Sequence, residues 1–227
     1  MKYLVIAAHP DDEVLGCGGS IAKWVKNGHE VHVLIMAEGA TSRDKHRDRA
    51  SRKETLSILA QSAKRAAEIL GVETIELLDY PDNRMDSVDL LDVVKTIEDY
   101  TEKLKPDVVI THHAGDLNID HQITHQAVIT ACRPQPGQAV KRILSFEIPS
   151  STDWQSPNDG RPFVPNWFED ITDTLPMKMK ALEAYQSEMR PWPHARSIKA
   201  VEHLARWRGA SMGIEAAEAF MLVRNIS

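Results

Sequence analysis

The alternation of apolar runs with helix-like segments constrains this fold more than any other sequence feature. Short runs rich in β-branched residues cover 3–8, 30–37, 74–80 and 107–113, and segments with helical spacing follow the first three at 14–26, 53–70 and 87–104. Strands that alternate with helices are typical of βαβ units and a parallel sheet. We therefore expect an α/β fold with a Rossmann-like, mostly parallel sheet and helices on both faces.

The C-terminal third departs from this alternation and is rich in proline. Residues 134–167 surround one predicted strand at 142–148, and later patterns predict helices at 173–187 and 197–208 and a strand at 217–224. We expect a single domain over 1–227, in which 134–200 contributes an irregular cap over a site. The alternative for 134–167 is a plain surface loop, since long loops are either functional or disordered.

Charge and cysteine usage argue against several classes of protein. The chain has 27 basic and 33 acidic residues, a net charge of −6, and no run of Lys and Arg that could follow a phosphate backbone, so we expect no nucleic-acid partner. The apolar start is too short for a secretory or membrane segment, which predicts a cytoplasmic protein without membrane insertion. Cys17 and Cys132 lie far apart without CxxC pairing, so we expect two buried apolar side chains.

The sequence His9-Pro10-Asp11-Asp12-Glu13 lies where the first predicted strand ends and the first helix begins. Ligands of open α/β sheets bind at the carboxyl ends of the strands. Three acids crowded against one imidazole would repel one another, and a divalent cation would relieve that repulsion. The alternative is that these acids only cap the helix and complement its dipole.

A second cluster follows the fourth predicted strand, in a histidine-rich loop over 111–125. It contains four histidines and two aspartates: His112, His113, His121, His125, Asp116 and Asp120. If the first and fourth strands are neighbours, both clusters lie at the same edge of the sheet, and one further imidazole completes a three-ligand site. Two histidines and one carboxylate with an open position are typical of catalytic zinc. The alternative is a set of solvated loop histidines.

Two further patterns are less specific. The glycines of GCGGS (16–20) lack the GxGxxG spacing of nucleotide-binding loops, so we interpret them as close packing of the first helix on the sheet. Most of the five tryptophans fit core or cap packing, and only Trp192, beside His194, suggests stacking on a substrate.

Together these motifs resemble the PIG-L/LmbE family of zinc-dependent N-deacetylases. The resemblance is carried by HPDDE with GCGG (9–19), AAEILGV (66–72), PDVVITHH (106–113), DLNIDH (116–121) and AEAF (217–220). It implies one Zn²⁺ per chain, held by His9, Asp12 and His121, with Asp11 as general base. It also implies removal of the acetyl group from a small N-acetylated amino sugar of the GlcNAc type or a glycoconjugate, by a protein that is often a homo-oligomer.

One departure from that family concerns the acid that protonates the leaving amine. Asn118 stands where relatives often have a histidine three residues before the last zinc ligand, and an amide can donate a hydrogen bond to substrate but cannot deliver a proton. We expect His194 to replace that histidine, oriented by Asp120. His113 and His125 are rival acids, and Asp11 could itself return its proton to the amine.

The sequence also contains candidate residues for binding the substrate. Arg43 and Arg84 follow the second and third strands and stand in for the substrate-binding arginine of some relatives, although a surface arginine is the alternative for each. His113 and Asn118 complete the predicted contacts. Two other functions stay open: a sugar- or nucleotide-binding protein without catalysis, and hydrolysis of another amide, an ester or a phosphoester. One metal per chain would favour acyl chemistry, and two would favour phosphate.

Overall fold

A computed structural model describes residues 1–156 and 161–227, and the strands of these residues form one sheet. The strands are β1 (Lys2–Ala7), β2 (Glu30–Ala37), β3 (Thr74–Tyr80), β4 (Val108–His112), β5 (Arg142–Phe146), β6 (Trp167–Asp170) and β7 (Ala217–Asn225). The helices are α1 (Asp12–Lys26), α2 (Lys53–Leu70), α3 (Leu90–Leu104), α4 (Ile119–Ala131), α5 (Leu175–Ala184) and α6 (Ile198–Ala210). Short 3₁₀ turns occupy Thr41–Arg43, Met85–Ser87 and Thr152–Trp154.

The order of the strands places the two sequence clusters beside each other. The sheet runs β3-β2-β1-β4-β5-β7-β6; β1 to β5 are parallel, and β7 and β6 are antiparallel. The chain order reverses between β1 and β4, and open α/β sheets bind ligands at such a switch point. The predicted mostly parallel α/β sheet is confirmed, and so is the adjacency of its first and fourth strands.

Helices cover both faces of the sheet because side chains alternate along each buried strand. In β1, Tyr3 and Val5 belong to a core shared with α1, α2, α5 and α6, whereas Leu4 and Ile6 belong to a second core shared with α3 and α4. Strands buried on both faces appear in the sequence as continuous apolar runs. This holds for β2, and β2, α2 and β3 all match their predicted bounds residue for residue.

The prediction of a loop over 111–125 is wrong in its second half, which forms α4. Asn118 is the N-cap of this helix, and its side-chain oxygen accepts the backbone N–H of Asp120 at 2.9 Å. The helical face of α4 that turns inward carries buried polar residues, among them His121 and Thr124. An apolar periodicity could not reveal this helix, because its first half turns polar side chains inward to the site and only its second half packs into the core.

Segment 134–200 contributes to the sheet as well as to the site. It supplies β5, which the sequence pattern predicted, and the four-residue edge strand β6, which the pattern did not predict. A strand of that length and partial exposure carries too little alternation to be recognised. The part of the expected cap over 157–160 lies outside the described residues.

The first helix is interrupted just after the acidic motif. At Cys17 the backbone leaves the helical range, with φ −149°. The buried carboxylate of Glu218 accepts the N–H groups of Gly19 and Ser20 at 2.9 and 2.7 Å, so it caps the second half of α1. The ammonium of Lys178 donates to Glu218 at 2.5 Å and to the carbonyl oxygen of Leu15 at 2.8 Å. Glu218 is the acid of the AEAF motif. Its pairing with Lys178 and its cap on α1 fix the helix that carries the site.

The glycines and cysteines behave as predicted. A Cβ on Gly16 would lie 2.5 Å from the Phe146 ring of β5, and one on Gly19 would lie 2.7 Å from Ile171, so close packing requires both glycines. Cys17 and Cys132 are buried free thiols. Across 1–156 and 161–227, none of the helices is long and apolar enough to span a membrane.

Candidate metal centre

The carboxylate of Asp12 is the hub of the site at the switch point. Its Oδ2 atom lies 3.3 Å from Nδ1 of His9 and 3.2 Å from Nε2 of His121. One donor atom of each residue lies within 4.8 Å of the other two. The structure therefore brings together the three residues that the resemblance names as metal ligands, two from the β1–α1 turn and one from α4.

Unpaired buried atoms show that this cluster fits a cation. Oδ1 of Asp11, Oδ1 of Asp12 and both ring nitrogens of His121 are buried and have no hydrogen-bond partner among residues 1–156 and 161–227. The carboxylates of Asp12 and Asp116 lie within ion-pair distance of the His121 ring, but the angles between these groups are unsuitable for hydrogen bonds. A buried polar atom left unpaired costs about 1–3 kcal/mol. A borderline dication bound by His9, Asp12 and His121 would satisfy the free oxygen of Asp12 and one ring nitrogen of His121, and would leave Oδ1 of Asp11 beside it.

His9 also belongs to a second acidic group, with Asp82 and Asp120. Nε2 of His9 lies 3.0 Å from Asp120 and 3.4 Å from Asp82. Both oxygens of Asp120 already accept backbone N–H groups of the loop after β3, at 2.6 and 2.9 Å, and Asp82 accepts the N–H of Ser42 at 2.9 Å. We therefore interpret these carboxylates as partners that orient His9 and not as a second metal site, since a ligating histidine is commonly held by a carboxylate on its other nitrogen.

Asp116 has the corresponding position beside His121, and the sequence assigned it no role of its own. Its Oδ1 atom lies 3.1 Å from Nδ1 of His121. Its carboxylate accepts the hydroxyl groups of Ser151 and Thr152, the latter at 2.6 Å. Burial alone would raise the pKa of Asp116, but His121 and these hydroxyls lower it below its usual range. Asp116 therefore stays ionised and joins the segment after β5 to the metal centre.

Asp120→Asn is expected to weaken metal binding about 10–100-fold, the usual loss when an outer partner of a metal ligand is removed. The amide would place an NH₂ group against a backbone N–H and leave His9 free to rotate. Metal affinity measured by competition with a chelator tests this. Asp86→Asn, an exposed acid of the same loop, is the matched control, and equal affinities for the two variants would contradict the role given to Asp120.

Asp11 combines an unusual backbone with a buried carboxylate. Its φ is +107°, a value that a non-glycine residue adopts only where the surrounding structure holds it. Oδ2 accepts a hydrogen bond from Arg196 at 3.1 Å, whereas Oδ1 has no partner. Burial raises the pKa of Asp11 to about 8, although Arg196 opposes the shift. The free oxygen beside the metal ligands can accept a proton near neutral pH.

Glu13 holds the backbone of Asp11 in place. Its carboxylate accepts the N–H of Asp11 at 3.1 Å and the hydroxyl of Tyr185, just after α5, at 2.6 Å. Burial raises the pKa of Glu13 to about 7, even though the Tyr185 hydrogen bond acts in the opposite direction. The third acid of the motif therefore supports the turn and does not reach the metal ligands directly.

Arg196 is the functional residue that the sequence reasoning missed. Besides Asp11, it contacts Oγ of Ser150 through Nε at 3.2 Å. The only signal available was its place two residues after His194 in RPWPHARS. It joins the segment before α6 to the β1–α1 turn.

The histidines proposed as acids take different positions. Nδ1 of His194 accepts the backbone N–H of Arg196 at 3.0 Å, and its ring lies edge-on to Trp154. Asp120 contacts His9 and not His194, so the expected orientation of His194 by Asp120 is wrong. His113 donates from Nε2 to the carbonyl oxygen of Arg161 at 2.9 Å, and His125 donates from Nδ1 to that of His112 at 2.8 Å.

The predicted substrate contacts are engaged within the protein. Arg43 binds both oxygens of Glu188 at 2.8 Å. Arg84 donates to the carbonyl oxygens of residues 44 and 45, each at 3.0 Å. Asn118 caps α4, and its NH₂ group donates to Asn83 at 2.8 Å. A contact of any of them with substrate stays a prediction.

Comparisons with known proteins agree with this site. The family model PIG-L, GlcNAc-PI de-N-acetylase, matches residues 4–132, more than half of the chain. The uncharacterized deacetylase YaiS of Escherichia coli K12 is 32% identical over 190 residues, 81% of this chain and 90% of that protein. The diacetylchitobiose deacetylase of Thermococcus kodakarensis is 27% identical over 82% of this chain and 70% of its own length.

One relative is named for a different reaction. The 4-oxalmesaconate hydratase of Pseudomonas putida is 26% identical over 84% of this chain and 75% of its own length. Among solved structures, the N,N′-diacetylchitobiose deacetylase of Pyrococcus horikoshii superposes with a TM-score of 0.78 at 24% identity, covering 98% of this chain and 84% of that one. That likeness confirms the fold.

The part of the chain matched by the family model spans the HPDDE motif, the His121 segment and most of the parallel sheet between them. The predicted family is therefore confirmed, and with it the predicted class of enzyme, a de-N-acetylase. On this sequence match and the relatives above, the chain belongs to the PIG-L (GlcNAc-PI de-N-acetylase) family.

Proposed function

We propose that this protein is a zinc-dependent hydrolase that removes the acetyl group from an N-acetylated amino sugar of the GlcNAc type. The observation that carries the proposal is the convergence of His9, Asp12 and His121 next to the unpaired oxygen of Asp11. A ligand set of two histidines and one carboxylate suits zinc and leaves a coordination position open. Deacetylase relatives that act on diacetylchitobiose and GlcNAc-PI support the choice of sugar.

The residues around the metal centre have separate roles in the proposed reaction. When bound, the metal would polarise the acetamide carbonyl and make a water acidic enough to attack it near neutral pH. Asp11 accepts the proton of that water at its free Oδ1 atom, while Arg196 holds Oδ2 and fixes the direction of the carboxylate. Glu13 keeps the turn that aims Asp11 in place.

The leaving amine needs a proton, and two donors stay under consideration. Asp11 can return the proton that it accepted, or His194 can donate one, since the segment that carries it contacts Asp11 through Arg196. If His194 is the acid, His194→Ala should lower kcat about 10²–10⁴-fold while metal content is unchanged. Steady-state kinetics decide, with His203→Ala of α6 as control; near-normal turnover of His194→Ala would rule out His194 as the acid.

The proposed activity is tested by acetate release from a panel of N-acetylated sugars. The zinc-loaded protein is assayed with N-acetylglucosamine, N,N′-diacetylchitobiose and a GlcNAc glycoside of a lipid or polyol, and metal per chain is measured in the same samples. Release from at least one sugar with about one metal per chain is the expected result. Metal-loaded protein that releases acetate from none of them would contradict the proposal and favour a sugar-binding protein.

A second candidate is the addition of water to a carbon–carbon double bond. It is favoured by the hydratase relative, which is 26% identical to this chain. Incubation of the protein with 4-oxalmesaconate distinguishes the two activities, because addition of water to the double bond removes the conjugated absorbance of this compound. Hydration without acetate release would replace the deacetylase proposal.

A further inference from the structure

One exposed tryptophan stands beside the candidate active site without a function in the chemistry above. Trp154 ends the 3₁₀ turn after β5 and is 55% exposed. Large aromatic side chains usually lose most of their surface to the core, because each buries a large apolar area. An indole that is half in solvent and joined by contacts to the partners of a site is a candidate binding surface.

Two independent chains of contacts tie Trp154 to the reacting centre. In the first, Thr152 donates to Asp116 at 2.6 Å, and Asp116 lies 3.1 Å from the ring of the ligand His121. Two residues of chain span at most about 7 Å, so the backbone of Trp154 is close to this anchor. The turn is closed by the N–H of Trp154, which donates to the carbonyl oxygen of Ser151 at 3.2 Å.

The second chain of contacts runs through the segment before α6. The indole of Trp154 lies edge-on to the ring of His194, with 5.5 Å between centroids. Nδ1 of His194 accepts the N–H of Arg196, whose guanidinium binds Asp11. Trp154 thus lies two residues after Thr152, which binds Asp116, the partner of the ligand His121. Its ring contacts His194, which binds the backbone of Arg196, the partner of the proposed general base.

The other tryptophans do not share this position. Trp24 is buried, and Trp167 lies under the guanidinium of Arg142. Trp192, the residue that the sequence suggested for stacking, packs against His203 and lies under the ammonium of Lys199. Trp207 is exposed on α6. We therefore expect Trp154, and not Trp192, to stack on the substrate.

We propose that Trp154 forms a second sugar subsite, on which the ring next to the acetamido sugar stacks while that sugar occupies the metal centre. The C–H face of a pyranose is apolar and matches an indole face, and its hydroxyl groups stay in water. The substrate class is then an N-acetylated sugar linked to a second ring, and not a free monosaccharide. This inference rests on the proposed deacetylase function.

The test compares two substrates in wild type and variants. Initial acetate release is measured with N-acetylglucosamine and with N,N′-diacetylchitobiose, in which either ring can enter the metal centre while the other reaches Trp154. Wild type should have the higher kcat/KM for the disaccharide. Trp154→Ala should lower that value about tenfold, the scale of one aromatic stacking contact, and leave the monosaccharide within about twofold. Trp154→Phe should recover part of the loss, and Trp207→Ala should change neither value.

The outcomes separate the subsite from the proposed activity. An equal loss for both sugars in Trp154→Ala would overturn the subsite, because it would mean that the residue supports Asp116 or His194; an unchanged disaccharide value would overturn it as well. If wild type releases acetate from neither sugar, nor from the GlcNAc glycoside of the panel above, the deacetylase proposal fails on its own. Calorimetric binding of the disaccharide to wild type and Trp154→Ala then still decides the subsite, and equal affinities would overturn it.

Discussion

Asp11→Asn should lower kcat for acetate release by about 10²–10⁴-fold, the contribution expected of a positioned general base. The amide has the same shape, and Asn tolerates positive φ better than other non-glycine residues, so the turn at φ +107° should survive. The amide cannot accept the proton of the attacking water as a carboxylate does. Steady-state kinetics on the metal-loaded variant measure the effect.

Metal content distinguishes this result from a loss of the site. Asp11 is not a predicted ligand, so Asp11→Asn should keep about one metal per chain. Asp173→Asn serves as the control, because the side chain of Asp173 is 82% exposed and pairs with Lys26 at the surface. A fully loaded Asp11→Asn protein that retains more than about a tenth of wild-type kcat would show that another group takes the proton.

The centre of the site could be predicted because its chemistry is concentrated in consecutive residues. His9, Asp11 and Asp12 stand in one turn, and the apolar run before them identifies the strand that they follow. The rule that ligands bind at the carboxyl ends of parallel strands then places the turn next to the segment after β4. Only His121 had to come from elsewhere, and the adjacency of β1 and β4 brings it within 3.2 Å of Asp12.

The surroundings of the site could not be predicted because they arise from contacts between distant segments. Arg196 reaches Asp11 across 185 positions of chain, and Ser151 and Thr152 reach Asp116 from after β5. Such residues have no local pattern, since an arginine or a hydroxyl in a loop is ordinarily a surface residue. Helix α4 escaped detection for a related reason: the polar side chains that serve the site interrupt the apolar period on which recognition of a helix depends.

Removal of a metal ligand should affect both activity and stability. His121→Ala should lower metal per chain well below one and reduce activity by more than the about 10–100-fold typical of losing an outer-shell partner. In wild type, zinc at 100 times its dissociation constant stabilises the fold by about 2.7 kcal/mol, which corresponds to a rise in Tm of about 5–10 °C. His121→Ala should lose that rise, because it lacks one of the three ligands through which zinc would bind and stabilise the folded state.

The matched control for His121→Ala is His113→Ala. Both imidazoles are buried in the segment after β4, but His113 donates to the carbonyl oxygen of Arg161, outside the predicted ligand set. His113→Ala should therefore keep its metal and the rise in Tm with zinc, even if its own stability falls. Elemental analysis and thermal unfolding with and without zinc measure both variants. A His121→Ala protein that still binds one zinc and gains the full Tm shift would contradict the metal centre proposed here.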